Sequence, residues 1–99
     1  MENDVIYGWE NEGTKELFQA ILKLRTVKEC EDFFRDLMTL HEIEEMAERL
    51  RIAKMLDRDM SYLDIADKAG VSTTTVTRVA NWLKHGRGGY RLILDRLGK

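Results

Sequence analysis

The segment at residues 62–81, YLDIADKAGVSTTTVTRVAN, restricts the possible folds of this chain more than any other part of the sequence. Apolar residues recur at helical spacing on both sides of Gly70, and glycine enters the left-handed conformation of a sharp corner at no steric cost. Ser72 follows the corner, and serine is a preferred N-cap residue. The segment therefore predicts two short helices, at about 61–69 and 72–84, that meet at a tight turn.

Small and branched apolar residues occupy the positions that such a corner buries. We expect Ile65, Ala66 and Ala69 to face the second helix, with a small residue at position 66 because the two helices cross closely there. The side chains expected to fill the angle between the helices are Val71, Val76 and Val79. This arrangement is typical of a helix-turn-helix.

The other side of the second helix is polar, and the local packing does not require its burial. The polar residues expected to contact DNA there are Ser72, Thr73, Thr74, Thr77, Arg78 and Asn81. The second helix of a helix-turn-helix enters the major groove, where threonine can meet bases, arginine a guanine or a phosphate, and asparagine an adenine. The pattern predicts a DNA-binding protein. A helical corner that docks a protein partner, without specific DNA binding, is the alternative.

Charge is distributed unevenly along the chain, although the net charge is only −2. Residues 1–60 contain fifteen Asp or Glu against nine Lys or Arg, and residues 61–99 contain three against seven, which gives −6 and +4. A basic surface favours nucleic acid because neutralising phosphates releases counterions. The residues expected to contact phosphates are Lys68, Lys84, His85, Arg87 and Arg91, each of which suits an ordinary solvated surface equally well.

The remaining sequence is typical of helices, because it has no proline and is rich in Leu, Ala, Glu, Lys, Arg and Met. Three Ser/Thr-x-x-Glu/Asp sequences predict helix starts in which the hydroxyl and the carboxylate satisfy backbone N–H groups. They lie at Thr26–Glu29, Thr39–Glu42 and Ser61–Asp64. Apolar spacing predicts further helices at about 14–25, 27–38, 41–57 and 90–97. The fold class is therefore all-α.

We expect a single helical domain at residues 14–99, preceded by an N-terminal arm at residues 1–13. Within the domain, residues 14–60 would form the core and dimerisation helices, 61–83 the helix-turn-helix, and 84–99 a basic loop and the last helix. A chain of this length buries only about two thirds of its unfolded surface, which favours additional stabilisation by a partner subunit.

Secretion, membrane insertion and catalysis lack their usual signals. The N-terminal sequence MENDVIYGWE has no basic start and no apolar run, which predicts a cytoplasmic protein. Cys30 lies on an apolar helix side and suits a core thiol better than a nucleophile. His41 and His85 have no matching ligand at metal-site spacing. We expect no enzyme activity, no catalytic residue, no metal site and no cofactor.

From about Leu37 to Leu94 the chain resembles the Trp repressor superfamily, and still more its YerC/YecD-type members. The resemblance rests on LMTLHEIEEMAERLRIAKML, on MSYLDIADKAGVSTTTVTRVANWLK, and on a short final helix after a break. It implies a six-helix fold and a bacterial transcriptional regulator, a repressor, that binds double-stranded DNA as an intertwined homodimer. The side chains of the shared core would include Phe18, Ile21, Leu22, Phe33, Phe34 and Leu37, which suit a monomeric core equally.

The resemblance also implies an effector pocket between the third helix and the helix that contacts DNA, where the family binds tryptophan between two arginines. The residues at matching positions are Thr39, Arg49, Thr75, Arg78, Val79 and Trp82. Trp repressor has a glycine and a serine where this chain has Val79 and Trp82, and the larger side chains occupy ligand space. We therefore expect that L-tryptophan is not the effector, and another small-molecule effector stays open.

Overall fold

The computed structural model of this chain describes residues 9–98, which form six α-helices and no strand. The helices are α1 (Glu12–Ile21), α2 (Val27–Leu37), α3 (Leu40–Asp57), α4 (Tyr62–Ala69), α5 (Thr73–His85) and α6 (Gly89–Leu97). The predicted all-α fold of six helices is confirmed. None of the helices within the described residues combines the length and apolar character needed to cross a membrane.

The chain divides between Thr39 and Leu40 into two compact units, where the sequence predicted a single domain over residues 14–99. The first unit contains α1 and α2, and the second contains α3 to α6. Neither α1 nor α2 has a buried residue, and Phe18 and Leu22 are 53% and 82% exposed. The apolar sides of these two helices contribute no buried side chain among the described residues, and the single domain at residues 14–99 stays a prediction.

The first helix begins at Glu12, inside the segment that we expected to be an arm, and it ends at Ile21 rather than near residue 25. Residues 1–8 of that arm lie outside the described part. Asn11 is the reason for the early start: its Oδ1 accepts from the Thr14 N–H at 3.0 Å, and Thr14 Oγ1 accepts from the Asn11 N–H at 2.9 Å. This reciprocal pair closes the first turn with Asn and Thr instead of Ser/Thr and Glu.

Two of the predicted helix starts have the expected hydroxyl caps. Thr26 Oγ1 accepts from the Glu29 N–H, and Ser61 Oγ accepts from the Asp64 N–H, each at 3.1 Å. The carboxylate of Glu29 differs from the prediction, because it accepts from the Arg25 N–H at 2.8 Å, one residue before the cap. That N–H also lies outside the helix and needs an acceptor.

The core of the second unit lies among α3, α4, α5 and α6. Its buried apolar residues are Ile52, Ala53, Met55, Ile65, Ala66, Val76, Val79, Ala80 and Leu94. Ile52, Ile65 and Val76 are fully buried and belong to three different helices. Burying a side chain of this size contributes about 1.5–3 kcal/mol, so these three residues fix α5 against α3 and α4.

Arg91 joins α6 to α3 at the surface of this unit. Its Nη1 donates to Oδ1 of Asp57 at 2.7 Å, and its Nε donates to Oδ1 of Asp95 at 3.0 Å. The hydrogen bond from Arg91 lowers the pKa of Asp57, and the hydrogen bonds to Asp57 and then Asp95 raise the pKa of Arg91. Arg91 is therefore engaged within the protein rather than available to a phosphate.

Candidate nucleic-acid interface

The corner between α4 and α5 has the geometry that the sequence predicts. Gly70 ends α4 in the left-handed conformation, with φ 71° and ψ 34°, and the Val71 N–H donates to the Ala66 carbonyl oxygen at 3.0 Å. A Cβ at position 70 would meet no atom within 4 Å. The corner therefore requires glycine for its backbone conformation and not for lack of space.

Ser72 starts the second helix of the corner as predicted. Its Oγ accepts from the Thr75 N–H at 3.2 Å and lies 3.3 Å from Thr75 Oγ1. One turn later, Thr77 Oγ1 donates to the Thr73 carbonyl oxygen at 2.9 Å. This bond uses the only hydroxyl proton of Thr77 but leaves acceptor capacity on its oxygen, which suits a donor such as the amino group of a base.

One side of α5 is buried and the other is exposed. Val76, Val79 and Ala80 are buried in the core of the second unit. The exposed polar residues of the opposite side are Thr73, Thr74, Thr77, Arg78 and Asn81. Within residues 9–98, the guanidinium of Arg78 makes no hydrogen bond or ion pair. We call these five residues the polar face of α5, and its charged and hydrogen-bonding groups point to a partner outside the chain.

The predicted phosphate contacts do not share one surface. Lys84 is exposed near the end of α5, and its Nζ lies 3.5 Å from the hydroxyl of Tyr62 at the start of α4. His85 and Arg87 are exposed at and after the end of the same helix. Lys68 instead lines a cleft together with three cations of α3 and the loop after it, and no residue of α5 takes part in that cleft.

The predicted effector pocket is only partly assembled. A cleft of about 340 Å³ contains Arg49 of α3 and Thr75 of α5, two of its expected members. The full lining of this cleft is His41, Glu44, Glu45, Glu48, Arg49, Val71 and Thr75. Arg78 does not line it, and Thr39 is an exposed residue of the first unit.

The two residues expected to fill the pocket lie elsewhere. Val79 is only 3% exposed and belongs to the core of the second unit. Trp82 is 63% exposed and lines a different cleft, of about 520 Å³, with Leu50, Tyr90 and Ile93 among its neighbours. Trp82 thus lines a cleft with residues of α6 and does not line the cleft with Arg49 and Thr75, where its larger side chain was expected to occupy ligand space.

Sequence reasoning missed the acidic character of the cleft that holds Arg49. Glu44, Glu45 and Glu48 recur on one side of α3, and that spacing was the available signal. Oε2 of Glu48 is buried and has no hydrogen-bond partner among the described residues. Three carboxylates against one guanidinium make the cleft a poor site for a ligand that presents a carboxylate.

A metal site is not formed by the described residues, since no three His, Cys, Asp or Glu side chains within 9–98 are placed to hold one ion. Cys30 is half-buried in α2 and carries a free thiol. The geometry of the second unit thus offers a polar helix face, flanking cations and open clefts rather than a cluster of reactive groups.

Comparison with known proteins gives consistent matches over nearly the whole described chain. The profile of the Trp repressor protein family matches residues 12–98. The uncharacterized protein YerC of Bacillus subtilis (strain 168) is 42% identical over 82 residues, which are 83% of this chain and 79% of YerC. A Trp operon repressor homolog of Chlamydia caviae is 34% identical over 73 residues, which are 73% of this chain and 72% of that protein.

A solved structure agrees with these sequence matches. A TrpR like protein from Eubacterium eligens ATCC 27750 is 44% identical to this chain and superposes with a TM-score of 0.86. The match covers 90% of this chain and 92% of that one.

Proposed function

Because this chain belongs to the Trp repressor family and is of the YerC type, we propose that it represses transcription by binding a specific sequence of double-stranded DNA as a homodimer. The polar face of α5 is the observation that carries the proposal. It is exposed along its length, while Val76, Val79 and Ala80 hold the opposite side in the core. A helix held in this way can enter the major groove without unfolding any packed residue.

Sequence-specific contacts are assigned to the polar face. The guanidinium of Arg78, which has no partner among residues 9–98, suits a bidentate contact with guanine O6 and N7. Asn81 lies three residues later and suits adenine. The hydroxyls of Thr73 and Thr74 suit bases or nearby phosphates, and the oxygen of Thr77 suits a donor such as the amino group of a base. Such contacts contribute about 1–3 kcal/mol of discrimination for each well-placed pair.

Phosphate contacts are assigned to the cations at the C-terminal end of α5 and to the cap at its start. Lys84 and Arg87 are exposed there, and Ser72 starts the helix whose N-terminus attracts a phosphate. Lys68 is left out of this footprint, although the sequence suggested it, since it lines a cleft that contains no residue of α5.

The homodimer is supported by the exposed apolar side chains of the first unit. Phe18, Leu22, Val27 and Leu37 are all more than half exposed. Removing apolar surface from water contributes about 25 cal/mol per Å², so a second copy that covers these side chains would stabilise the dimer. An interlocked dimer of the kind expected from the resemblance covers the surface in this way.

Regulation by L-tryptophan is not part of the proposal. The cleft with Arg49 and Thr75 contains Glu44, Glu45 and Glu48, and these repel the carboxylate of an amino acid. Val79 belongs to the core of the second unit and not to that cleft, so its packing holds α5 in place without a ligand. We infer that the position of α5 is set by its own packing and not by a bound tryptophan.

Selection of bound sequences from random duplex DNA tests the proposal. The purified chain is expected to enrich an inverted repeat whose half-sites lie about one helical turn apart, since a two-fold dimer presents two copies of α5. Enrichment of no sequence, with binding that disappears as salt rises, would refute sequence-specific recognition and favour a protein-docking corner.

The dimer needs its own test. Leu22→Glu replaces an apolar side chain that is 82% exposed by a charged one, so α1 should stay folded. Analytical ultracentrifugation should show a dimer for the parent chain and a monomer for the variant. Lys23→Glu is the matched control, because it introduces the same residue at the neighbouring exposed position. A dimer that persists in Leu22→Glu would remove this surface from the interface.

A further inference from the structure

A second basic surface lies in the C-terminal unit, apart from the polar face of α5. Arg51, Lys54 and Arg58, from α3 and the loop after it, share a cleft of about 380 Å³ with Lys68 of α4. All four side chains are exposed, and no acidic residue lines the cleft. Within the described part of the chain none of these four side chains makes a hydrogen bond or ion pair. We call this group the basic cleft.

The spacing of the cations on α3 concentrates like charge. Arg51 and Lys54 stand three residues apart on α3, and Arg58 follows Lys54 by four residues, directly after the helix ends. Like charges at this spacing repel and destabilise a helix. Arg91, by contrast, is neutralised by Asp57 and Asp95. A bound anion is what would relieve the repulsion in the basic cleft.

The rest of the lining is apolar. It consists of Ala47, Leu50, Met55 and Met60. Met55 is buried and Met60 is half-buried, and both line the cleft beside the cations. Methionine adapts to flat or irregular groups and contacts aromatic rings favourably. A few convergent charges beside an apolar wall are typical of a small-molecule site, and the volume lies within the usual range of about 300–1,000 Å³.

We propose that the basic cleft binds a small organic phosphate, whose phosphate groups contact the four cations and whose apolar or aromatic body contacts Met55 and Met60. Phosphate groups are favoured over a single carboxylate because four positive charges exceed what one carboxylate neutralises, and the guanidinium groups of Arg51 and Arg58 can bind phosphate oxygens bidentately. The DNA backbone is disfavoured, since a cleft with an apolar wall offers it little contact. The proposal does not depend on the function of α5.

Isothermal titration of the full chain without DNA, at about 0.1 M ionic strength, tests the proposal. The probes are ATP, inorganic pyrophosphate and adenosine. We expect saturable binding of ATP at one site per chain, weaker binding of pyrophosphate, which lacks the apolar body, and no detectable binding of adenosine. Failure of both phosphates to bind would overturn the proposal.

Substitutions locate the site. The double variant Lys54→Gln, Arg58→Gln should weaken ATP binding at least about tenfold, because it removes two charge-assisted contacts. Arg96→Gln is the matched control, since it removes an exposed cation of α6 that does not line the basic cleft. Unchanged ATP affinity in the double variant would overturn the proposal. So would a double variant that loses DNA affinity alone, because that result would assign these cations to the DNA backbone.

Discussion

Two glycines flank α5, and replacing each by alanine should destabilise the protein for different physical reasons. Gly70 has φ 71°, and a Cβ added there would meet no atom within 4 Å, so Gly70→Ala meets only the cost of a left-handed backbone. That cost is about 1–2 kcal/mol, and the lower entropy of the unfolded alanine chain offsets part of it. Asparagine tolerates this conformation better, so Gly70→Asn should recover about half of the loss.

Gly86 ends α5 with φ −80°, a conformation open to any residue. A Cβ at this position would instead clash with the carbonyl oxygen of Trp82 and lie 3.2 Å from Trp82 Cε3. The carbonyl belongs to the helix backbone, so the end of α5 must shift, at a cost of about 1–3 kcal/mol. Asparagine brings the same Cβ, and Gly86→Asn should therefore be no better than Gly86→Ala.

Thermal unfolding followed by circular dichroism, at one fixed protein concentration, measures the four variants. A loss of 1 kcal/mol corresponds to a decrease in Tm of about 4–8 °C for a domain of this size. Constant concentration matters because the Tm of a dimer depends on it. These two causes are refuted if Gly70→Ala is as stable as the parent chain, or if asparagine helps equally at both positions.

Three further predictions concern charge and ligand. Asp57→Asn removes a carboxyl whose pKa Arg91 lowers. In the parent chain this interaction stabilises the folded state at neutral pH, and its contribution is lost on acidification below the ordinary Asp pKa of about 3.9, so the variant should have the lower Tm at neutral pH and a smaller decrease in acid. Equal Tm values for the two chains at every pH would exclude this contribution. Lys84→Gln should flatten the log–log salt dependence of DNA affinity by about 0.9 per chain, with Arg96→Gln as the unaffected control. Titration with L-tryptophan should show no micromolar binding, and binding that strengthens DNA affinity would show that α5 is positioned by this ligand after all.

Features that depend on neighbouring residues could be predicted from the sequence. Gly70 and Ser72 determine the corner by their own backbone preferences, and the spacing of Val76 and Val79 determines which side of α5 is buried. The exposure of Arg78 follows from the same spacing. Local chemistry was therefore sufficient for the corner between α4 and α5 and for the polar face of α5.

Features that depend on how helices pack could not be predicted. Trp82 was expected to occupy ligand space in the pocket with Arg49, but it lines another cleft together with residues of α6. Lys68 was expected among the phosphate contacts, and the packing of α4 on α3 instead places it in the basic cleft. The division after Thr39 depends on which apolar surfaces the chain itself covers, and periodicity reports only that a helix has such a surface.

Recognition of bases by the polar face of α5 can be measured by comparing the sequences that the parent chain and Arg78→Gln select from random duplex DNA. We predict that one position of each half-site changes from guanine to another base, while the other positions and the half-site spacing are kept. Identical selected sequences from both proteins, at equal affinity, would show that Arg78 reads no base and that α5 does not recognise DNA in this way.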